Sequence, residues 1–168
     1  MTDQHNSLEE QPDPADFPPR KVVCVGAVVL RGDQALFIRQ AEGQSLAGRW
    51  SIPWGFVEAD EAPEDAALRE TLEESGVTAS IEGFMGFQNL KQTGWIGMIF
   101  LCRHVEGEPR ADGVETDVAR YLDPGELDSL GDSVLTWCAW LAIKGLSGDY
   151  TLIEEAPETP GEPSRAYL

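Results

Sequence analysis

Glu70, Glu73 and Glu74 stand three and four residues apart in the segment EDAALRETLEES, residues 64–75. At about 100° per residue they share one face of a helix, while Leu68 and Leu72 project from the opposite side. The plain reading of such a segment is a solvated acidic face steadied by Glu–Arg pairs. Glu70 and Glu74, however, are like charges at i,i+4 spacing and repel, so stability alone does not select them. A divalent cation turns that repulsion into coordination, because Mg²⁺ takes carboxylate oxygens and keeps several waters. The elements needed to present the carboxylates are legible on both sides. Asp60 or Glu61 is the expected N-cap, Pro63 suits the first turn, and Gly76 suits the position just past the end. The leucines are expected to pack on a sheet, with the three carboxylates pointing away from it.

The chain around this helix has 168 residues, 42% of them hydrophobic, which suits one globular domain with its own core. Its 12 basic and 30 acidic residues give a formal charge of −18. Such a surface repels nucleic acid and anionic membrane, so neither is an expected partner. It also repels a phosphate-bearing substrate unless metal ions or local cations reverse the field at the site. The first twenty residues lack a basic segment followed by an apolar one, and the longest apolar runs are too short to span a bilayer. Cys24, Cys102 and Cys138 are odd in number and lie in apolar runs, which reads as buried free thiols in the cytoplasm.

Residues 1–19 are polar, acidic and proline-bearing, and read as a disordered arm. Residues 20–148 read as the folded domain and 149–168 as a C-terminal tail returning to proline and acid. Within the domain, KVVCVGAVVLR and ALFIRQ are expected strands flanking a Gly32-Asp33 turn. RWSIPWGF reads as a short strand broken at Pro53 and Gly55. After the acidic helix come ASIEGFMGFQ and GWIGMIFLCRHV as strands turning at NLKQT, then TDVARYL as another strand. An Asp-Pro helix entry opens DPGELDSL, and SVLTWCAWLAIKGL is apolar at helical spacing. Strands thus surround one early and one late helix, a mixed α and β class.

At the acidic helix the chain resembles the Nudix box. Gly55 is followed at the box spacing by Glu61, then Arg69, Glu70, Thr71, Leu72, Glu73, Glu74, Ser75, Gly76 and Val77. The one departure is Thr71, polar where the box is usually apolar. The resemblance covers residues 21–146 and implies an α+β fold, a Nudix-like α/β/α sandwich with a mixed β-sheet. It implies hydrolysis of a nucleoside diphosphate linked to another moiety, by water attack at phosphorus with Mg²⁺ or Mn²⁺. It assigns Glu70, Glu73 and Glu74 to the metal, together with the backbone carbonyl of Trp54, a position where most relatives carry a small residue. Gly55, Glu61 and Gly76 are then structural. Arg69 steadies the helix and is placed to orient Glu73. Glu115 is a second candidate, in the place where many relatives carry a loop glutamate contacting metal, water or substrate, with an exposed loop acid as the alternative.

Several residues have only a candidate role. Arg39, Arg49 and Lys91 border the site in that topology and are candidates to hold phosphates, with a solvated charge as the alternative. Phe56, Trp50 and Phe87 are candidates to stack on a base, with packing as the alternative; Trp137 and Trp140 are expected in core or interface. His104 has no partner motif. The continuation Gly55-Phe56-Val57-Glu58 resembles the branch that cleaves ADP-ribose or dinucleotides such as NADH and FAD. The proline-rich stretch of the NADH enzymes is absent, and Thr93 stands where some ADP-ribose enzymes carry proline. A modified nucleoside triphosphate is the runner-up substrate, and a non-catalytic nucleotide-binding module is the reading from another class. Relatives often dimerise through their sheets, so a homodimer is one of the states the resemblance implies.

Overall fold

An apolar run with no polar alternation suits only a strand covered on both faces. In the computed structural model, which describes residues 21–90, 93–155 and 167, that run is β1 (Val23–Arg31). The elements that follow are β2 (Gln34–Gln40), β3 (Trp50–Ser51), β4 (Trp54–Phe56), α1 (Pro63–Ser75), β5 (Thr78–Leu90), β6 (Trp95–Glu106), β7 (Thr116–Leu122), α2 (Pro124–Leu130) and α3 (Thr136–Ser147). The sheet order is β3-β2-β1-β6-β5, with β4 attached to β1 and β7 to β2. β1 and β6 run parallel and the other pairs antiparallel, so the sheet is mixed as expected. β1 is shared between neighbours: Cys24, Val25 and Gly26 pair with β4, while Leu30 and Arg31 pair with β2.

Each face of the sheet carries its own core. Val28, Leu30, Phe37, Ile52, Ile99 and Leu101 pack with Leu127 of α2 and with Cys138, Leu141 and Ala142 of α3. Val25, Ala27, Val29, Leu36 and Phe100 pack with Ala66 and Ala67 of α1. All three cysteines are buried and free, as the sequence suggested. The Asp123 entry to α2 is a full capping box: Asp123 accepts from the Glu126 amide, and the Glu126 carboxylate accepts from the Asp123 amide.

α1 differs from expectation in two respects. Its N-cap position is Ala62, with no side-chain cap bond. Asp60 instead takes a left-handed turn at φ 65°, and the Glu61 carboxylate is held by Arg69 and the Glu58 amide. Of the two leucines expected on the sheet, only Leu68, half-buried, packs against the core on that side. Leu72 is 51% exposed, and Ala66, Ala67, Thr71, Glu74 and Ser75 lie buried instead. Small side chains let the helix approach closely, and the two hydroxyls are satisfied within it: Thr71 donates to Ala67 O and Ser75 to Thr71 O. The C-terminus agrees with expectation. Gly76 sits at φ 68°, a left-handed conformation that favours glycine, and donates to Leu72 O.

Beyond α3, Ile153 exchanges two backbone hydrogen bonds with Phe84, and Tyr167 packs near Phe84 and Phe100. The tail expected from residue 149 onward therefore touches the domain at these points. The expectation for residues 1–19, and the candidate Lys91, lie outside the described residues. No described helix is long and apolar enough to cross a membrane.

Candidate active site

β4 passes across α1 at the level of Glu70 and Glu74. The register of β4 on β1 places Trp54 and Gly55 over the helix, and the helix turns Glu74 inward, leaving it 3% exposed. The Trp54 amide donates to Glu74 Oε2 at 2.9 Å. Gly55 makes room for the next carboxylate. A β-carbon on it would lie 1.9 Å from Glu70 Cδ and 2.0 Å from Oε1. Glycine is required here by close approach, since its backbone is not left-handed.

Arg69 ties the group together. Its Nε and Nη2 donate to the two carboxylate oxygens of Glu61 at 2.8 and 3.0 Å. Nη1 donates to Glu70 at 2.9 Å and Glu73 at 3.0 Å, and Nη2 also reaches Phe56 O at 3.0 Å. This fork is bidentate toward Glu61, a geometry lysine cannot copy. The hydrogen bonds from Arg69 hold Glu61 below the usual carboxylate range, and those to Glu61 first of all raise the pKa of Arg69.

The inner carboxylates are shifted the other way. Burial pushes Glu74 up to about 8; the Trp54 amide opposes this, and the charges of Glu70, Glu115 and Asp112 add to it. Burial likewise raises Glu70 against the pull of Arg69, with Glu73 and Glu115 adding to the rise. Glu70, Glu73 and Glu74 thus do not point together away from the sheet: Glu74 faces in, Glu70 is cradled by Gly55, and the Glu73 side chain is 58% exposed. Among the described residues no three acidic, histidine or cysteine side chains converge as a closed ligand set. The donor chemistry nonetheless fits a hard divalent ion: oxygen ligands only, crowded enough to raise one another's pKa, with a glycine cradle that a β-carbon would fill. Glu70, Glu73, Glu74 and the Trp54 carbonyl are the groups that would hold it.

Glu115 arrives from the loop before β7. The hydroxyl of its neighbour Thr116 lies 2.7 Å from Glu74 O, and the Ala41 amide donates to Glu115 O at 2.8 Å. The two arginines expected at phosphates are engaged elsewhere. Arg39 makes a bidentate pair with Asp117 at 2.8 and 3.0 Å and lies over the Trp50 ring. Arg49 donates to Ser133 O and Val134 O, fastening β3 to the entry of α3. Trp50 is core at 5% exposure, Phe87 is 74% exposed, and His104 is bonded to the Tyr121 hydroxyl at 2.9 Å.

A recess of about 640 Å³ opens beside Trp54. Its walls include the indoles of Trp54, Trp95 and Trp137, with Gln88 and Asn89 among its polar groups, and none of the described residues lining it is charged. Phe56 stands at its edge, packed edge-on against Trp54 and Trp95 with centroids 5.9 and 4.8 Å away. Sequence reasoning missed this wall. The three tryptophans belong to β4, β6 and α3, and only the shared β1 brings them together. Trp137 was expected in core or interface; Trp140, its neighbour on α3, is 56% exposed.

This arrangement, a mixed sheet between helices with an acidic helix knotted by one arginine, is the setting for the comparison with known proteins. The model of the NUDIX domain matches residues 20–140, and the chain belongs to that family. A MutT-like protein of Streptomyces ambofaciens is 34% identical over 118 residues, covering 70% of this chain and 73% of that one. A putative 8-oxo-dGTP diphosphatase of Bacillus subtilis is 30% identical over 100 residues, 60% of this chain and 65% of that protein. Among solved structures, a NUDIX hydrolase from Nitrosomonas europaea superposes with a TM-score of 0.68 at 21% identity, over 77% of this chain and 72% of that one.

Proposed function

We propose that the chain hydrolyses a nucleoside diphosphate linked to a further group, with Mg²⁺ or Mn²⁺ held by Glu70, Glu73, Glu74 and the Trp54 carbonyl. The observation that carries this reading is the double attachment of Trp54. Its main-chain N–H is bonded to Glu74 while its indole lines the recess. A planar, uncharged ring seated against the indoles therefore directs its phosphates toward the carboxylates. When bound, a divalent ion supplies neutralisation of the diphosphate charge and lowers the pKa of a nearby water. The protein's own groups set the geometry: Arg69 orients Glu70 and Glu73, Gly55 leaves room for Glu70, the Trp54 amide fixes Glu74, and Glu115 approaches from the β7 side.

Between substrates, ADP-ribose or a dinucleotide such as NADH or FAD ranks first, cut at the diphosphate bridge to AMP plus the other phosphorylated half. The guanidinium groups of Arg39, Arg49 and Arg69 are all engaged by protein oxygens. With these three described cations so engaged, the site favours the bridge with about two negative charges over a triphosphate with about four. A modified nucleoside triphosphate is the second reading, favoured by the name of the Bacillus subtilis relative. A cytoplasmic location belongs to the same reading, supported by the three free, buried thiols. The test is kcat/KM for ADP-ribose, NADH, FAD and oxidised nucleoside triphosphates at fixed Mg²⁺. A triphosphate leading by about tenfold, with monophosphate and pyrophosphate as products, reverses the order. No metal-stimulated hydrolysis of any of them refutes the activity.

A further inference from the structure

The segment joining β6 to β7, residues 107–115, is fastened to the C-terminal end of α1 at three points. The Arg110 amide donates to Ser75 O at 2.7 Å. The Thr116 hydroxyl stands 2.7 Å from Glu74 O. Gly107 lies so close to Gly76 that a β-carbon on it would meet Gly76 O at 2.5 Å.

Inside the segment one carboxylate organises the chain. Asp112 Oδ1 accepts the amides of Val114 and Glu115 at 3.1 Å and of Thr116 at 2.8 Å, and the Thr116 hydroxyl stands 3.0 Å from it. An aspartate that shapes its own turn commonly satisfies a donor two residues on. Here three consecutive amides converge, and the middle one belongs to Glu115. Thr116 is fully buried, and its single hydroxyl proton serves either Asp112 or the carbonyl of Glu74. The Glu115 side chain itself is exposed, so its reach depends on where its main chain is held.

We propose that Asp112, acting with Thr116, is a positioning residue that fixes the main chain of Glu115 against α1, so that the Glu115 carboxylate is delivered to the metal and substrate side of Glu70 and Glu74. The inference rests on the proposed function, in which Glu115 approaches the carboxylates from the β7 side. The charge of Glu115 is already felt by both Glu70 and Glu74. Asp112 touches no reacting atom; it acts through the turn.

The test compares D112A, D112N, T116V, E115Q and the double variant D112A/E115Q in the full chain. Two readouts are taken: Mn²⁺ affinity by electron paramagnetic resonance, and kcat, KM and half-saturating Mg²⁺ on the best substrate of the panel. Supporting partners of this kind are worth roughly 10–100-fold in metal affinity or activity. D112A is expected to lose that much in kcat or Mn²⁺ affinity. D112N, which keeps an acceptor oxygen, recovers part of the loss, and the double variant falls no further than E115Q alone. T116V keeps the buried volume and carries the same expectation should D112A fail to fold. A purely structural role gives a lower melting temperature with unchanged kcat and Mn²⁺ affinity, or losses that multiply in the double variant; either result overturns the proposal. If the wild type hydrolyses nothing in the panel, the proposed function fails, while Mn²⁺ affinity of D112A and T116V still decides the positioning role.

Discussion

Replacing Gly55 with alanine separates two explanations for a glycine at the heart of the site. The backbone there is extended strand without a left-handed φ, so alanine suits the local conformation. What stands in its way is one side chain. The new methyl would lie 1.9, 2.0 and 2.4 Å from the Cδ, Oε1 and Oε2 atoms of Glu70. Carbon atoms need about 3.5 Å, so the Glu70 carboxylate must retreat by roughly 1.6 Å. That displacement breaks its 2.9 Å bond to Arg69 and removes it from the group around Trp54. Because the clash is with the end of a flexible side chain, the cost falls in the lower part of the overpacking range, about 1–2 kcal/mol. In a domain of this size that lowers the melting temperature by roughly 2–8 °C. Turnover is expected to fall about 10–100-fold, as for other residues that place a metal ligand. The decisive assay is a double-mutant cycle in stability, by urea denaturation. In the E70A background the obstructing atoms are gone, so G55A should then cost no more than about 0.5 kcal/mol. Equal costs in both backgrounds, or wild-type turnover by G55A, refute the argument.

E73Q and E74Q are each expected to lower turnover by about 10²-fold or more with the fold retained, checked by steady-state kinetics and circular dichroism. The raised pKa of Glu74 also predicts a pH dependence for the protein in EDTA. A carboxyl with ordinary value 4.5 unfolded and about 8 folded binds more protons in the native state across that interval. Its contribution is therefore complete below 4.5 and lost as pH rises through 8, so the urea midpoint should fall between pH 5 and 8, and less steeply in E74Q. R69K keeps the charge but not the fork, and should lose about 1–2 kcal/mol of stability and most of the activity; wild-type values for both would dissolve the role of Arg69. W95A and W137A are expected to raise KM roughly tenfold with kcat little changed, as for lost base stacking, and equal losses in kcat would move these rings out of the binding role.

Local signals made most of the scaffold readable. β7 coincides with the segment TDVARYL, because alternation and a following Asp-Pro both mark its end. Pro63 and Gly76 bracket α1 for the backbone reasons anticipated. The box spacing likewise singled out Arg69, Glu70, Glu73 and Glu74; Arg69 is hydrogen-bonded to Glu70 and Glu73, whereas Glu74 turns inward to the Trp54 amide. The orientation of α1 was not readable from its own residues. Periodicity favours Leu68 and Leu72 as the buried stripe; Leu68 does pack on the core, but Leu72 is exposed and Glu74, bonded to the Trp54 amide, is buried instead. For Arg39 and Arg49 the competing acceptors, Asp117 and the carbonyls of Ser133 and Val134, are 78 to 85 positions away, beyond any local pattern. The indole recess was invisible for the same reason.

The two-residue repeat of β1 divides labour in this enzyme. Val25, Ala27 and Val29 support the helix that carries the carboxylates, whereas Val28 and Leu30 belong to the opposite core and Gly26 turns its missing side chain toward Ile99 and Ile52. A single step along one strand thus moves from the layer that carries the acidic helix to the layer that lines the recess. Substitutions at Gly26, or at Gly97 beside its strand partner Cys24 in the wall of the recess, are placed to reshape that recess without moving a carboxylate. Ligand choice can accordingly drift between descendants of one sequence while the hydrolytic machinery stays unchanged.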